Sequence, residues 1–531
     1  VSTPAPAAAD LGRAAAKITS LTLVSRLTGF VRVLVATAVL GTTFLGNVYE
    51  ANNTVPNVLF ELFAAGALHA VLVPTFVTVR MRAGRDGMLA AASAMLRVLT
   101  LALVAVTVVG LVVSPLVARL LAAGIDDDSV RRAADRLGTI LLLVFLPQVV
   151  CYGAGLVSTA ALQAAERFVA AAAAPIVNNV VVITAYAAFA VLRRGEGAWP
   201  GTPLRPIEIA VLGGGTTLGV VAFTAVPFLA ARRIGLRLGV AERNASLRGI
   251  GRRGAWAAGL VALTQAQVAV VLVLAGGVAG GVVAYQFAFT WFLLPYALVA
   301  VPVATAIYPR LAERGATETR AGFAGLLERA VFVTTTGLAL GAAVIGALAW
   351  PLVHLTTFGR VDASGRVVVA RTLVALAPGL VGYGLLYVFV RASYALGDAR
   401  TPTVVSMLSV GAALVAMVLA TVWASDASRV PVLAAIQSVG TTLAAVVIGR
   451  RVERRSQARL LRPVGRSVAA GAVAAAVMAV VVAAARVEGR NDSLVATAVA
   501  GPLGLGAAWL VLRAGAGEPL HRRLRLEGAD G

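Results

Sequence analysis

Long apolar runs separated by short loops set the pattern of this chain. A helix needs about 20 mainly apolar residues to cross a bilayer. By that measure, crossings fall near residues 17–41, 47–79, 88–118, 137–162, 168–192, 207–231, 254–277, 281–309, 321–356, 368–391, 402–424, 430–449, 466–486 and 493–513. These runs are too long for strands, and they predict an all-α polytopic membrane protein with 14 transmembrane helices. The most informative breaks in the pattern lie between Ser25 and Phe76. There Arg26, Arg32, Glu50 and Glu61, with Asn52, Asn53 and Asn57, stand at depths where their neighbours are apolar. An ionisable side chain near the bilayer centre costs roughly 2.5–3.5 kcal/mol on insertion scales, so it normally faces a bundle interior. In a helical second span, Glu50, Thr54, Asn57 and Glu61 share one face, and Pro56 bends the helix within that face. The hairpin therefore predicts the wall of a polar cavity.

An internal repeat organises the rest. Span 4 carries PQVVCYG from Pro147, and span 10 carries PGLVGYG from Pro378 with the same spacing of proline, tyrosine and glycine. Pro74 and Pro309, ending spans 2 and 8, are separated by nearly the same length of chain. Two homologous six-span halves follow, pseudo-symmetric about an axis along the membrane normal. The expected organisation is a cytoplasmic N-terminal tail at 1–16, an N-lobe at 17–231, a cytoplasmic basic linker at 232–253 and a C-lobe at 254–449. Spans 13 and 14 follow with their basic linker at 450–513, and then a cytoplasmic tail at 514–531.

Composition sharpens the class. Of 531 residues 59% are hydrophobic and 13% charged, against about 25% charged in soluble domains. The formal charge of +22 sits in short loops rather than on a solvated domain, which excludes a nucleic-acid-binding surface and makes the arginines topology signals. Arginines crowd the loops after spans 2, 6, 8, 10 and 12, placing those loops and both termini in the cytoplasm. The outer loop from Arg193 to Arg205 is the exception, being more basic than the rule predicts. Asp126, Asp127 and Asp128 read as a solvated loop beside Arg131 and Arg132 rather than a cation site.

No enzyme is expected. The chain has a single cysteine, Cys151, scattered histidines at 69, 354 and 521, and neither a P-loop nor a nucleophile elbow, so neither metal nor cofactor is predicted. The GGG at 213–215 reads as close helix packing. Without an ATPase signature, transport would draw on the substrate gradient, the membrane potential or an ion. The second half is nearly neutral: Gln265 and Gln267 in span 7, Gln286 and Thr290 in span 8, with Asn178 and Asn179 in span 5 of the first half, are equally suited to ligand contact and to helix-to-helix hydrogen bonding. For Arg26 and Arg32, pairing with Glu50 or Glu61 competes with holding an anionic ligand, for which the planar guanidinium fork suits phosphate.

SRLTGFVR in span 1, VPNVLFELFAAGALHAVLVPTF in span 2, LPQVVCYG in span 4, PIVNN in span 5 and SYALGDARTP at 393–402 resemble the MurJ/MviN family, the lipid II flippases of bacterial peptidoglycan synthesis. The likeness covers essentially the whole chain and is nearest to the actinobacterial branch. It implies two lobes around a central cavity and a last helix pair forming a membrane-open groove for a lipid tail. The function implied is movement of lipid II, the undecaprenyl-pyrophosphate-linked precursor, from the inner to the outer leaflet of the bacterial plasma membrane by alternating access. Lipid II, membrane lipids and cell-wall synthesis proteins are the implied partners of an expected monomer. Export of another polyprenyl-linked glycan or an amphipathic drug, and a non-transporting scaffold of wall synthesis, are the alternatives. Arg26 and Arg32 match the two span 1 arginines that line the family's cavity, and Pro56 and Asn57 match its Pro-Asn. Basic-cavity members carry arginine at the positions of Phe60 and Thr290 and often aspartate at Asn47, so this chain departs there. It also lacks an equivalent of the acids reported to coordinate an ion. The expected substrate-binding set is Arg26, Arg32, Glu50, Asn53, Asn57, Glu61, Asn179, Gln265 and Thr290, with Arg26 foremost. In spans 13 and 14 the small-residue stretch VAAGAVAAAVMAVVVAAA is expected to offer the tail a shallow apolar surface.

Overall fold

A computed structural model describes residues 8–237, 250–316, 320–487 and 489–514, with side chains undescribed at 8–19, 64–71, 250–258, 316, 320–321 and 461–462. Most of both expected tails, the arginines of the 238–249 linker, His69 and His521 lie outside the described side chains. Within the described residues the chain is all-helical. It divides into two units, one through Val268 and one from Ala269.

The first unit holds α1 (Ala8–Leu40), α2 (Phe44–Phe60), a π-helical turn at Glu61–Ala65, α3 (Gly66–Ala122), α4 (Asp128–Phe145), α5 (Gln148–Ala164) and α6 (Val169–Leu192). A short α7 (Pro206–Ile209), a second π-helical turn at Ala210–Gly214, α8 (Gly215–Arg233) and most of α9 (Ile250–Gly276) complete it. The second unit contains α10 (Gly281–Pro295), a π-helical turn at Tyr296–Ala300, α11 (Val301–Ala316), α12 (Arg320–Ala347), α13 (Ala349–Thr356) and α14 (Ala363–Leu376). It ends with α15 (Gly379–Ala395), α16 (Arg400–Ala420), α17 (Asp426–Ser456), α18 (Leu461–Ala484) and α19 (Arg490–Ala514).

Every expected crossing falls on helix. Among the described residues twelve helices are long and apolar enough to span alone, and the bent pair α14 and α15, at 45°, makes thirteen. The fourteenth expected crossing is α2 with the start of α3, part of whose side chains lie outside the description. α3 itself runs through two expected spans and turns at Gly84, whose φ of 70° suits glycine. Helix α1 begins at Ala8, well before the expected edge of span 1.

The repeat recurs in detail inside each unit. The π-helical turns at Glu61–Ala65 and Tyr296–Ala300 stand in the same register as the Pro74 and Pro309 pair. Asp127 caps α4 by accepting from Ser129 N (2.7 Å) and Val130 N (3.1 Å). Asp362, its counterpart in that register, caps α14 by accepting from Gly365 N (2.8 Å). Gly153 on α5 sits where a Cβ would come 2.2 Å from Leu103, and Gly384 on α15 meets Leu338 at 2.0 Å in the same way. Pro147 and Pro378 each break a span one residue before the following helix, because proline there cannot continue the preceding hydrogen-bond ladder.

The acidic run in the 125–136 loop resolves into local structure. Hydrogen bonds from Ser129 and Val130, with Arg132 nearby, hold the Asp127 carboxyl below the usual range, and Asp128 pairs with Arg131. The basic 193–205 loop is internally compensated. Arg193, 1% exposed, donates to Glu208 Oε2 (3.1 Å) and to the carbonyls of Pro203 (3.1 Å), Gly197 (2.9 Å) and Thr202 (2.6 Å), while Arg205 bonds Glu208 (2.9 Å). Two of its arginines are thus structural and weigh little as topology signals.

The glycines of span 6 pack as expected: a Cβ on Gly215 would lie 2.4 Å from Ala185 and one on Gly219 2.5 Å from Val182, so α8 lies against α6. On α18 the small residues serve two faces. One packs tightly on α19, where a Cβ on Gly504 would meet Met478 at 2.5 Å. The other lines a cavity of about 910 Å³ with α12, α15 and α17, and both Ala475 and Ala479 are in its wall. Ala475 and Ala479 thus stand on the cavity face of α18, while its face toward α19 is filled.

Candidate functional site

Side chains in and beside the polar stripe of α2 bond back to their own helix. Asn52 donates to Val48 O (2.6 Å) and Thr54 to Glu50 O (2.8 Å), and the Asn52 Oδ1 is buried without a partner. Glu50, Asn53 and Glu61 are half-buried and Asn57 is exposed. The chain then passes into the π-helical turn at Glu61, a wider ring that shifts the following residues around the helix. Pro56 stands inside α2 and is itself buried.

Arg32 and Arg26 part company here. Arg26 is exposed on α1. Arg32 is half-buried, with a buried Nε that has no hydrogen-bond partner, and it lies close enough to act electrostatically on Glu50, Tyr49, Tyr152 and Tyr186. Neither arginine forms an ion pair with Glu50 or Glu61, although all four side chains are described. The alternative in which each arginine glues spans 1 and 2 is therefore not what the geometry displays.

Asn179 is buried and donates to Thr28 Oγ1 (3.0 Å) and the Ser25 carbonyl (3.4 Å), tying α6 to α1 on either side of Arg26. It positions α1 and has little left for a ligand. Gln265 is half-buried on α9. Thr290 belongs to the second unit, where its hydroxyl bonds back to Gln286 O (2.8 Å). Within unit 1, Arg32 thus stands in electrostatic range of Glu50, and Asn53 and Asn57 follow Glu50 on the same face of α2.

Sequence reasoning missed the side chains that support them. The Tyr49 hydroxyl lies 2.6 Å from Thr216 Oγ1 and 3.0 Å from the Tyr186 hydroxyl, and Thr216 bonds Leu212 O (2.7 Å) within the second π-helical turn. A second chain runs from Asn57, within reach of the Tyr152 hydroxyl, through Tyr152 to Gln148 Oε1 (3.3 Å), then to Thr217 (2.8 Å) and Val144 O (2.9 Å). Gln148 directly follows Pro147 in the repeated PQVVCYG, and that was the available signal. Satisfied networks of this kind hold α2, α5 and α8 in one arrangement. Chemically the site has a fixed cation with unused donor capacity, a nearby unpaired carboxylate and amides. It suits an anionic, oxygen-rich ligand and contains no nucleophile–base pair.

A family model described as "MurJ: Lipid II flippase MurJ" matches residues 36–496. Similar curated proteins include a probable lipid II flippase MurJ of Rhizobium meliloti (strain 1021), 26% identical over 401 residues, spanning 74% of this chain and 72% of that protein. Another is the lipid II flippase MurJ of Burkholderia cenocepacia, 26% identical over 406 residues, covering 75% of this chain and 76% of its own length. Among solved structures, a lipid II flippase MurJ in an inward closed conformation aligns with a TM-score of 0.73 at 16% identity, covering 94% of this chain and 98% of that one. An inward-facing multidrug resistance MATE family transporter aligns at 0.66 and 15%, over 83% and 98%. At such identities the structural likenesses speak for the fold.

Proposed function

The chain belongs to the lipid II flippase MurJ family, transporters rather than enzymes of the plasma membrane, and on that premise we propose that Arg32, with the amides of Asn53 and Asn57, holds the pyrophosphate of lipid II as it crosses. The observation that carries this reading is a half-buried guanidinium whose Nε is sealed from the surface without a partner, beside a carboxylate it does not pair with. A pyrophosphate passing through a low-dielectric interior needs compensating charge, because an unpaired ion there is strongly penalised. Glu50 eases the cost of the cation while the site is empty, and no ion pair must break when phosphate arrives. Asn53 and Asn57 add neutral donors along the same helix face. Arg26, exposed at the same helix, acts on approach rather than at the centre, and Glu61 sets the rim where the π-helical turn begins.

The undecaprenyl tail stays in apolar surroundings, and the cavity walled by Ala475 and Ala479 offers it a path. Lipid tails are as apolar as such a wall, so the gain is in guidance rather than in hydrophobic affinity. Alternating access then carries the headgroup from the inner to the outer leaflet, with both termini and the arginine-rich loops in the cytoplasm. The test is rescue of a bacterium depleted of its own lipid II flippase. Growth restored by this chain, and not by an equally expressed Arg32→Ala variant, supports the reading. Rescue by Arg32→Ala would remove Arg32 from the phosphate path, and failure of the unaltered chain to rescue would favour a non-transporting scaffold.

A further inference from the structure

We propose that a ladder of aromatic side chains in the second unit is a saccharide-binding strip for the sugar portion of the lipid-linked substrate, an inference that rests on the flippase reading. Tyr285 stacks on Phe289 with centroids 6.1 Å apart, and Phe289 on Phe292 at 5.6 Å. Phe292 meets Tyr383 edge-on at 5.4 Å, and Tyr296 bridges Tyr383 (4.9 Å) and Tyr387 (5.6 Å). The guanidinium of Arg391 lies 3.7 Å over the Tyr387 ring and donates to its hydroxyl (2.6 Å), which stiffens that end.

The repeat indicates which way this strip faces. In the register that superposes the π-helical turns, Tyr285, Phe289, Phe292 and Tyr296 fall on Glu50, Thr54, Asn57 and Glu61, the polar stripe of α2. In the register that superposes the Pro147 and Pro378 motifs, Tyr383 falls on Tyr152. The duplicated face thus carries charges and amides in one half and rings in the other. Packing alone would account for phenylalanine, but not for tyrosine at these depths. Of the ladder only Phe292 is fully buried. Among the described residues the hydroxyls of Tyr285 and Tyr383 have no hydrogen-bond partner, and they are not among the sealed polar atoms. A phenol hydroxyl facing hydrocarbon without a partner is costly, so this face looks onto polar space or a polar ligand. A sugar ring presents C–H-rich faces that pack on aromatic planes and hydroxyl edges that reach tyrosine oxygens. A line of half-buried tyrosines and phenylalanines offers both.

The experiment measures binding to the full chain in nanodiscs by native mass spectrometry, using lipid II and, separately, undecaprenyl pyrophosphate, which has the tail and phosphates but no sugar. The strip predicts that lipid II binds more tightly, and that Tyr285→Leu with Tyr383→Leu weakens lipid II by about tenfold, the scale of one or two stacking contacts, while leaving undecaprenyl pyrophosphate unchanged. Tyr285→Phe with Tyr383→Phe, which keeps the rings and guards against misfolding, should lose only part of the preference. Equal weakening of both lipids, an undiminished preference in the leucine variant, or no preference in the unaltered protein would each overturn the strip. Binding of neither lipid by the unaltered protein would instead overturn the flippase reading beneath it.

Discussion

Replacing Arg32 by alanine separates a ligand-binding cation from a structural one. A guanidinium that meets pyrophosphate oxygens in a forked arrangement gives up about two charge-assisted hydrogen bonds, each worth about 1.5–3 kcal/mol. The loss in transport rate is therefore on the order of 10² to 10⁴. Stability should move far less. Breaking a buried ion pair by removing one partner costs about 3–5 kcal/mol, but Arg32 has no such pair to break. The melting temperature of Arg32→Ala should accordingly stay within about 2 °C of the unaltered protein, since about 1 kcal/mol corresponds to roughly 2–4 °C. Arg32→Lys keeps the charge and loses the fork, so it should recover part of the rate. Arg32→Ala combined with Glu50→Ala should remain inactive, because the lesion is a missing phosphate ligand and not an orphaned carboxylate. The assay is lipid II translocation in proteoliposomes beside thermal melts in detergent. Near-normal transport in the double variant, or inactivity accompanied by a melting temperature many degrees lower, would refute the reasoning.

Tryptophan at both Ala475 and Ala479 should fill part of the 910 Å³ cavity, leave the melting temperature nearly unchanged because the space already exists, and slow lipid II transport; unimpaired transport would remove these positions from the tail path. Asp398 accepts from Thr401 N (3.0 Å) and pairs with Arg451 (3.0 Å) and Arg455 (3.3 Å). Partial burial opposes ionisation there, but these partners outweigh it and hold the carboxyl below the usual range. Its stabilisation is then complete above the unfolded pKa and is lost as pH falls through the depressed folded value. Asp398→Asn, whose amide oxygen can still accept from Thr401 N, should cost about 0.5–2 kcal/mol at neutral pH, the loss of two partly exposed pairs, and progressively less in acid, as thermal melts across pH will register. In a protein with Cys151 replaced, a cysteine at Ala241 should resist an impermeant thiol reagent in whole cells and one at Asp128 should react; the reverse pattern would invert the topology.

Helix placement was legible because apolar length is a strong signal in a medium that forces backbone groups to pair internally. The repeat was legible from a few prolines and glycines, and folding gives them contacts: Gly153 on Leu103 and Gly384 on Leu338. What stayed hidden depends on direction rather than depth. Arg26 and Arg32 look alike in one dimension, less than two turns apart on one helix. Only packing shows that Arg32 is half-buried and in electrostatic range of Glu50 and the tyrosines while Arg26 is exposed. The amide of Asn179 could equally have met a ligand, and its engagement by Thr28 and Ser25 is visible only once α6 lies on α1. The π-helical turns among the described residues share no fixed proline spacing: Pro295 directly precedes one, while Pro206 and Pro56 stand further ahead of the other two. The second half is nearly neutral in sequence, yet Tyr285 and Tyr296 stand where Glu50 and Glu61 stand in the first, and a tyrosine gives no charge signal. A run of alanines has no visible sidedness, and only the fold shows that Met478 fills the α19 side of α18 while Ala475 and Ala479 face the cavity.

Whether this chain moves lipid II at all is the question beneath every residue assignment above. The direct measurement is the purified full chain reconstituted into liposomes containing lipid II, with the outward-facing fraction read over time by an enzyme or probe confined to one side. Exchange between leaflets that far exceeds protein-free liposomes, and that is lost in Arg32→Ala reconstituted to the same density, is the predicted result. Exchange no faster than in protein-free liposomes, or equal exchange by the Arg32→Ala protein, would contradict it.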